Sequence, residues 1–179
     1  MPRNWEEHYA TAGLDLDPAP LLVEVADRLP PGRALDLACG SGRHALYLAR
    51  LDWHVTAVDS SRTAIGILTG RAAGLRIETH IADLAKQEFA IARAAYDLIL
   101  DFFYLQRDLF PAIREGVRPG GMFVGAIHLF DEDRPSAFAL RPGELRREFE
   151  GWKILFYSEG AEPGHQRRSA RIVASRAAE

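Results

Sequence analysis

The sequence predicts an α/β fold in which short buried strands alternate with helices around a largely parallel sheet. Short apolar runs recur along the chain, and stretches with apolar residues at helical spacing separate them. This alternation is typical of parallel strands joined by crossover helices. The 10 prolines and 15 glycines cluster between these runs, as turn residues do.

The first half of the chain is predicted from the spacing of its apolar residues, since helical spacing indicates helices and short continuous runs indicate strands. Ser60 and Ser61 are both suited to cap the helix that follows them. The predicted elements are a helix at 20–29, a strand at 34–37, a helix at 43–51, a strand at 53–58, a helix after the two serines and a strand at 75–81.

The second half continues the pattern, beginning with a strand apolar enough to be buried on both faces. A helix is expected to stop at the Pro119-Gly120-Gly121 turn. The predicted elements are a strand at 96–100, a helix at 109–117, a strand at 122–129, a loop at 131–142, a short helix at 143–149, and closing strands at 152–157 and 170–175 joined through the turn-rich stretch 159–164.

The composition favours one globular domain over residues 1–179, because 47% hydrophobic and 26% charged residues are near the globular average. A net charge of −3 gives no general attraction to nucleic acid or anionic lipid, so we expect neither as a partner. Cys39 alone cannot form an internal disulfide or a multi-cysteine metal site, and no metal is expected. The charged N-terminus and the lack of a long apolar run predict a cytoplasmic location.

The stretch from Leu35 to His44 carries the strongest functional signal, because a strand ends there in a glycine turn that opens a helix. Glycine lets a ligand approach the backbone closely, and the helix start offers free N–H donors. The pattern of Gly40 and Gly42 alone is a weak match to a dinucleotide-binding turn. Asp36 favours a different ligand: a carboxylate repels a pyrophosphate but attracts the ammonium and sulfonium groups of S-adenosylmethionine. The alternative is that Asp36 caps the helix.

Two further carboxylates follow the next two strands. Asp59 ends the second strand, where an acid accepts hydrogen bonds from ribose hydroxyls, and its alternative role is to cap the next helix. Asp83 follows the third strand, where an acceptor meets the adenine amine, and its alternative role is an Asx turn. Carboxylates at three successive strand ends therefore predict a nucleoside-binding edge.

Residues 34–45, 55–60, 81–84, 96–104 and 117–124 resemble, in order, the motifs of class I S-adenosylmethionine-dependent methyltransferases. The resemblance is strongest to small bacterial members related to the tellurite-resistance and thiol methyltransferase group. It implies a Rossmann-like, doubly wound, seven-stranded sheet of order 3-2-1-4-5-7-6, with strand 7 antiparallel and helices on both faces. Ala38 departs from the family, which usually has glycine there, and we expect a slightly narrower turn.

The resemblance also implies S-adenosylmethionine as the cofactor. Trp5 and Tyr9 lie in a segment similar to one that folds over the cofactor in relatives, so residues 1–18 are expected to cover the site. The residues implied to bind the cofactor are Tyr9, Asp36, Ala38, Gly40, Gly42, Arg43, Asp59, Ser60, Ala82, Asp83, Leu84 and Asp101.

The sequence does not identify a catalytic residue. His128, Asp101 and Tyr104 are candidates on the acceptor side, whereas core or surface roles are the alternative for each. Cys39 is expected to fill the turn, and the basic C-terminal part is expected to be a solvated face.

The expected activity is methyl transfer to a small-molecule acceptor, which needs alignment and a dry pocket more than it needs a protein nucleophile. A thiol or a reduced metalloid species needs little help from a base. The alternatives are a nicotinamide-binding oxidoreductase and a non-catalytic cofactor-binding protein of the same fold. The oligomeric state is left open.

Overall fold

The computed structural model describes residues 4–11, 15–132, 135–161 and 167–178. The chain forms two compact units, residues 1–90 and 91–179. The first unit contains α1 (Trp5–Thr11), α2 (Pro20–Ala26), β1 (Arg33–Leu37), α3 (Arg43–Arg50), β2 (His54–Asp59), α4 (Arg62–Arg71), β3 (Ile77–Ile81) and a 3₁₀ turn (Leu84–Lys86).

In the first unit, β2 lies between β1 and β3 and is parallel to both. Asp36 pairs in register with Ala57, and Asp59 pairs with Ile81. β1 and β2 are buried after their first residues and mostly apolar, as is usual for parallel strands covered on both faces, and the buried acids Asp36 and Asp59 are exceptions. β3 lies at the edge and is only half covered, and Ile81 is 47% exposed.

The second unit contains β4 (Tyr96–Phe102), a 3₁₀ turn (Arg107–Leu109), α5 (Phe110–Gly116), β5 (Val117–His128), α6 (Glu144–Glu148), β6 (Lys153–Ala161) and β7 (Arg168–Ser175). β4 and β5 are parallel, whereas β7 is antiparallel to both β5 and β6. Phe149 stacks on Phe123 at 4.4 Å and meets Phe110 edge-on at 6.1 Å. These fully buried rings form the aromatic part of the core.

The seven strands form one sheet of order β3-β2-β1-β4-β5-β7-β6. This order, with its antiparallel β7, confirms the predicted Rossmann-like fold class. The prediction of one domain over residues 1–179 stays a prediction. None of the helices within the described ranges is long and apolar enough to cross a membrane.

The Pro119-Gly120-Gly121 segment corrects a predicted boundary, because it belongs to β5 and does not form a free turn. This segment is hydrogen-bonded to the residue that follows β7. The Gly120 N–H donates to the Arg176 carbonyl at 3.1 Å, and the Arg176 N–H donates to the Gly121 carbonyl at 2.9 Å. α5 consequently ends at Gly116, one residue before the predicted end.

Other boundaries also differ from prediction. α2 ends at Ala26, three residues before the predicted end, and β3 begins at Ile77, two residues after the predicted start. β6 extends to Ala161, so residues 159–161 of the expected turn are strand, and residues 162–164 lie outside the described part. A register shift between Ile154 and Phe156 interrupts the pairing of β6 with β7.

Candidate functional site

The glycine turn between β1 and α3 uses left-handed backbone at alternate residues. Ala38, Gly40 and Gly42 have φ angles of +50°, +56° and +82°. A Cβ on Gly40 would lie 2.1 Å from the Tyr9 hydroxyl, and a Cβ on Gly42 would lie 2.3 Å from a methyl group of Leu68. Glycine is therefore required at both of these positions for space as well as for conformation.

Asp59 joins the glycine turn to the start of α4. One of its carboxylate oxygens accepts a hydrogen bond from the Gly40 N–H at 2.8 Å, and the other accepts from the Ser61 N–H at 2.9 Å. The side chain is buried, and burial raises the pKa of its carboxyl. The N-cap of α4 is Ser61, which decides between the two predicted serines and shows that Asp59 is not itself the cap.

Asp36 faces the protein interior and not solvent, since it is only 1% exposed. Its carboxylate accepts a hydrogen bond from the Ala45 N–H at 3.1 Å, so the helix-capping role considered above is present in the structure. Burial, reinforced by the charge of Asp59, raises the pKa of Asp36 to about 7, although the Ala45 hydrogen bond and the Arg43 guanidinium act in the opposite direction. A cationic neighbour would favour the ionised form of this acid.

Tyr9 places an aromatic ring over the glycine turn. Its hydroxyl approaches Gly40, and burial, with the nearby charge of Asp59, raises its pKa to about 12. Trp5, one turn earlier on α1, stacks on the Tyr9 ring at 6.2 Å. The structure thus brings the predicted aromatic segment to the predicted turn, while residues 1–3 and 12–14 of the 1–18 segment lie outside the described part.

Arg43, the first residue of α3, has partners on the segment before α2. It forms an ion pair with Asp15 and donates to the Asp17 carbonyl at 3.3 Å. Sequence reasoning missed these partners because nothing in the local pattern of residues 15–17 points to α3.

Asp83 caps the 3₁₀ turn that follows β3. Its side chain accepts from the Ala85 N–H at 3.0 Å and pairs with Lys86 at 3.2 Å, so the Asx role considered above is also present. Ala82 and Leu84 are buried on either side of it, and the Ala82 N–H donates to the Asp59 carbonyl at 2.9 Å. Ser60 is exposed and directly follows β2.

Glu6 is a residue of this region that sequence reasoning missed. Its carboxylate accepts hydrogen bonds from the backbone of Arg62 and Thr63 and from the Ser61 hydroxyl. Hydrogen bonds from Thr63, first of all from its side chain, lower the pKa of Glu6. The one local signal is that α4 has no acidic residue in its own first turn.

The acceptor-side candidates lie in the second unit. Asp101 is buried on β4. Phe103 follows β4 with a φ of +65°, and its ring stacks on His128 at 4.8 Å and 25°. Tyr104 donates to the Gln106 side chain at 2.7 Å. The structure therefore places the His128 ring against the Phe103 ring, and the catalytic roles considered for His128, Asp101 and Tyr104 stay predictions.

Cys39 and His44, at the glycine turn and in the first turn of α3, are both buried. Burial raises the pKa of the Cys39 thiol, so the thiolate is disfavoured. Burial also lowers the pKa of His44 to about 3, so its imidazole is neutral at physiological pH.

Several C-terminal arginines have protein partners. Arg176 donates to the Val117 carbonyl at 2.6 Å just beyond α5. Arg146 lies over Tyr157, and Arg171 lies over Phe156. These contacts favour structural roles over an anion-binding patch.

The sheet order and the glycine turn after β1 define a Rossmann-like protein of the class I methyltransferase type. Residues 6–172 match the family model described as "Tellurite resistance protein TehB", and the chain belongs to this family.

Individual relatives agree with this assignment. The chain is 31% identical over 151 residues to "Probable S-adenosyl-L-methionine-dependent methyltransferase TehB" of Haemophilus influenzae, covering 77% of this chain and 52% of that protein. It is 31% identical over 121 residues to "Probable thiol methyltransferase 2" of Arabidopsis thaliana, covering 64% and 51%. The crystal structure of TehB from Haemophilus influenzae superimposes with a TM-score of 0.72 at 25% identity, covering 96% of this chain and 65% of that one. The chain thus spans about half the length of these curated relatives.

Proposed function

We propose that this protein is an S-adenosylmethionine-dependent methyltransferase that acts on a small acceptor, either a thiol or a reduced metalloid species. The observation that carries the proposal is the pair of buried carboxylates, Asp36 and Asp59, beside the glycine turn. S-adenosylmethionine brings a sulfonium and an ammonium group, and buried anions attract such cations strongly because water screens them little. The Asp36 carboxylate would repel a pyrophosphate.

Each site residue has a role in this proposal. Asp36 holds the ammonium group, Asp59 accepts from the ribose hydroxyls, and Tyr9 covers the cofactor above Gly40. The carboxylate oxygens of Asp59 accept backbone hydrogen bonds, among them those from Gly40 and Ser61, and a carboxylate has about four lone-pair positions, so hydroxyl donors can also be accepted. The remaining proposed contacts are Asp83 at the adenine, with Ala38, Gly42, Arg43, Ser60, Ala82, Leu84 and Asp101 lining the cofactor.

The reaction is an in-line displacement at the methyl carbon. An electron pair of the acceptor forms the new bond while the carbon–sulfur bond breaks and its electrons return to sulfur, which leaves neutral S-adenosylhomocysteine. A thiolate or a reduced metalloid anion supplies its electron pair without a general base. The names of the family and of the Arabidopsis relative support this acceptor class.

Calorimetry separates the cofactor classes. We expect S-adenosylmethionine and S-adenosylhomocysteine to bind and the nicotinamide dinucleotides to fail. Asp59→Asn should weaken binding by on the order of tenfold, because hydrogen bonds to a charged acceptor become hydrogen bonds to a neutral one. Asp52→Asn is the matched control, since Asp52 is an exposed acid that precedes the start of β2, whereas Asp59 is at its end. Unchanged affinity in Asp59→Asn would remove the ribose assignment, and nicotinamide binding would favour an oxidoreductase.

A turnover assay tests catalysis. Release of S-adenosylhomocysteine is followed with a panel of alkyl and aryl thiols, with selenite and tellurite under reducing conditions, and with a catechol and a primary amine as hard acceptors. We expect turnover with the soft acceptors only. Cofactor binding without turnover on any member would favour the non-catalytic alternative.

A further inference from the structure

The N-terminus of α4 lacks a negative charge of its own. A helix start presents backbone N–H groups without helical partners together with a partial positive charge, and acidic residues in the first turn usually complement both. The first turn of α4 contains no acidic residue. Ser61 caps only one donor from within the helix, the Ala64 N–H at 3.1 Å.

The missing acceptor comes from α1, more than fifty residues earlier in the chain. The Glu6 carboxylate accepts from the Arg62 N–H at 2.6 Å and from the Thr63 N–H at 3.1 Å. It also accepts from the Ser61 hydroxyl at 3.2 Å. Because Asp59 accepts from the Ser61 N–H, each N–H from Ser61 to Ala64 has a side-chain acceptor.

The same side of α1 faces the glycine turn. Tyr9 follows Glu6 by three residues, a spacing that places both side chains on one helix face. Asp59 spans Gly40 and Ser61 with its two oxygens. α1 meets both ends of that span, with Tyr9 at Gly40 and Glu6 at Ser61.

α1 depends on such contacts for its position. The helix has seven residues and buries none of them fully. A free helix of this length is unstable in water, so its conformation must come from docking. Its helical neighbour in the first unit is α4.

We propose that Glu6 is a positioning residue whose carboxylate fastens α1 to the start of α4 and so holds Tyr9 over the glycine turn, setting how quickly the cofactor leaves. The inference rests on the cofactor site proposed above. Glu6 acts through Tyr9 and touches no reacting atom.

The test compares Glu6→Ala and Glu6→Gln with Glu7→Gln, which changes the neighbouring exposed acid of the same helix. Hydrogen–deuterium exchange of the amides at 5–11, measured without ligand, reports the docking of α1. We expect Glu6→Ala to speed exchange by on the order of tenfold, as loss of a helix cap does. Glu6→Gln, which retains an acceptor oxygen, should fall between, and Glu7→Gln should match the wild type.

Stopped-flow dissociation of S-adenosylmethionine then tests the link to Tyr9. We expect Glu6→Ala to raise the dissociation rate by on the order of tenfold and Glu7→Gln to leave it unchanged. Wild-type exchange in Glu6→Ala would overturn the docking role. Faster exchange with an unchanged dissociation rate would overturn the link to Tyr9. Failure of the proposed function looks different, since the wild type itself would then not bind this cofactor.

Discussion

Because the carboxyl of Asp36 is buried, we expect Asp36→Asn to raise the free energy of unfolding at neutral pH and to weaken cofactor binding. Its pKa is raised by burial from 3.8 to about 7. An acid whose pKa is higher in the folded state contributes stability that is fully present below about pH 4 and is lost as the pH rises to about 7. Ionised Asp36 therefore lowers the free energy of unfolding at neutral pH.

Asp36→Asn measures this cost. Asparagine is neutral and retains an oxygen that accepts from the Ala45 N–H, which lies 3.1 Å from the present carboxylate. The pKa shift from 3.8 to about 7 corresponds to at most about 4 kcal/mol. We expect Asp36→Asn to raise the free energy of unfolding by about 2–4 kcal/mol at pH 7.5 and to change it little at pH 4.

Urea unfolding at pH 4, 5.5 and 7.5 checks the stability effect, with Asp52→Asn as an exposed control. A stability difference between Asp36→Asn and wild type that is the same at pH 4 and pH 7.5 would refute the reasoning, as would lower stability of the variant at pH 7.5.

Ionisation of Asp36 lowers the stability of the fold, but it should raise the affinity for the cofactor. The affinity of the wild type for S-adenosylmethionine should rise by up to about tenfold per pH unit between pH 5 and 7, because the cation binds the ionised acid. Asp36→Asn should bind more weakly at pH 7 and lose that part of the pH dependence, which isothermal titration measures. An identical slope in the two proteins would show that Asp36 does not meet the cationic groups.

Two substitutions in the glycine turn test its backbone geometry by urea unfolding. Ala38→Gly should raise the free energy of unfolding by about 0.5–1 kcal/mol, since the φ of +50° strains alanine and not glycine, and reduced stability would contradict this. Gly42→Ala should lower it by about 2–4 kcal/mol, because the new Cβ would meet buried Leu68 at 2.3 Å and would keep a φ of +82°. A cost below about 1 kcal/mol would show that the turn rearranges freely.

The fold was predictable because its signals are local. Each parallel strand is a short apolar run, and the turn at Gly40 and Gly42 needs residues without a Cβ. The placement of Asp59 near that turn followed from its position at the end of a parallel strand, since such ends meet at one edge of the sheet. The order of the strands came from the family resemblance, because periodicity carries no information about which strands are neighbours.

The remaining features depend on partners that lie far apart in the chain. In the sequence, Glu6 is one of several charged residues near the N-terminus, and nothing indicates that it contacts α4. Nothing in the sequence indicates that Asp15 pairs with Arg43 either. Gly120 carries an ordinary turn signal, and only its hydrogen bond to Arg176 shows that it belongs to a strand. Hydrogen bonds over such separations leave no periodic trace in the sequence.

The irregular pairing of β6 has a consequence for how the sheet ends. β6 is one of the two edge strands, and the register shift between Ile154 and Phe156 inserts Leu155 without a counterpart on β7. A bulged border strand is a poor template for adding another strand, because its free N–H and C=O groups are out of step with a regular ladder. The half-exposed side chains of Leu155 and Phe156 therefore lie at an edge where the irregular pairing disfavours the addition of a further strand.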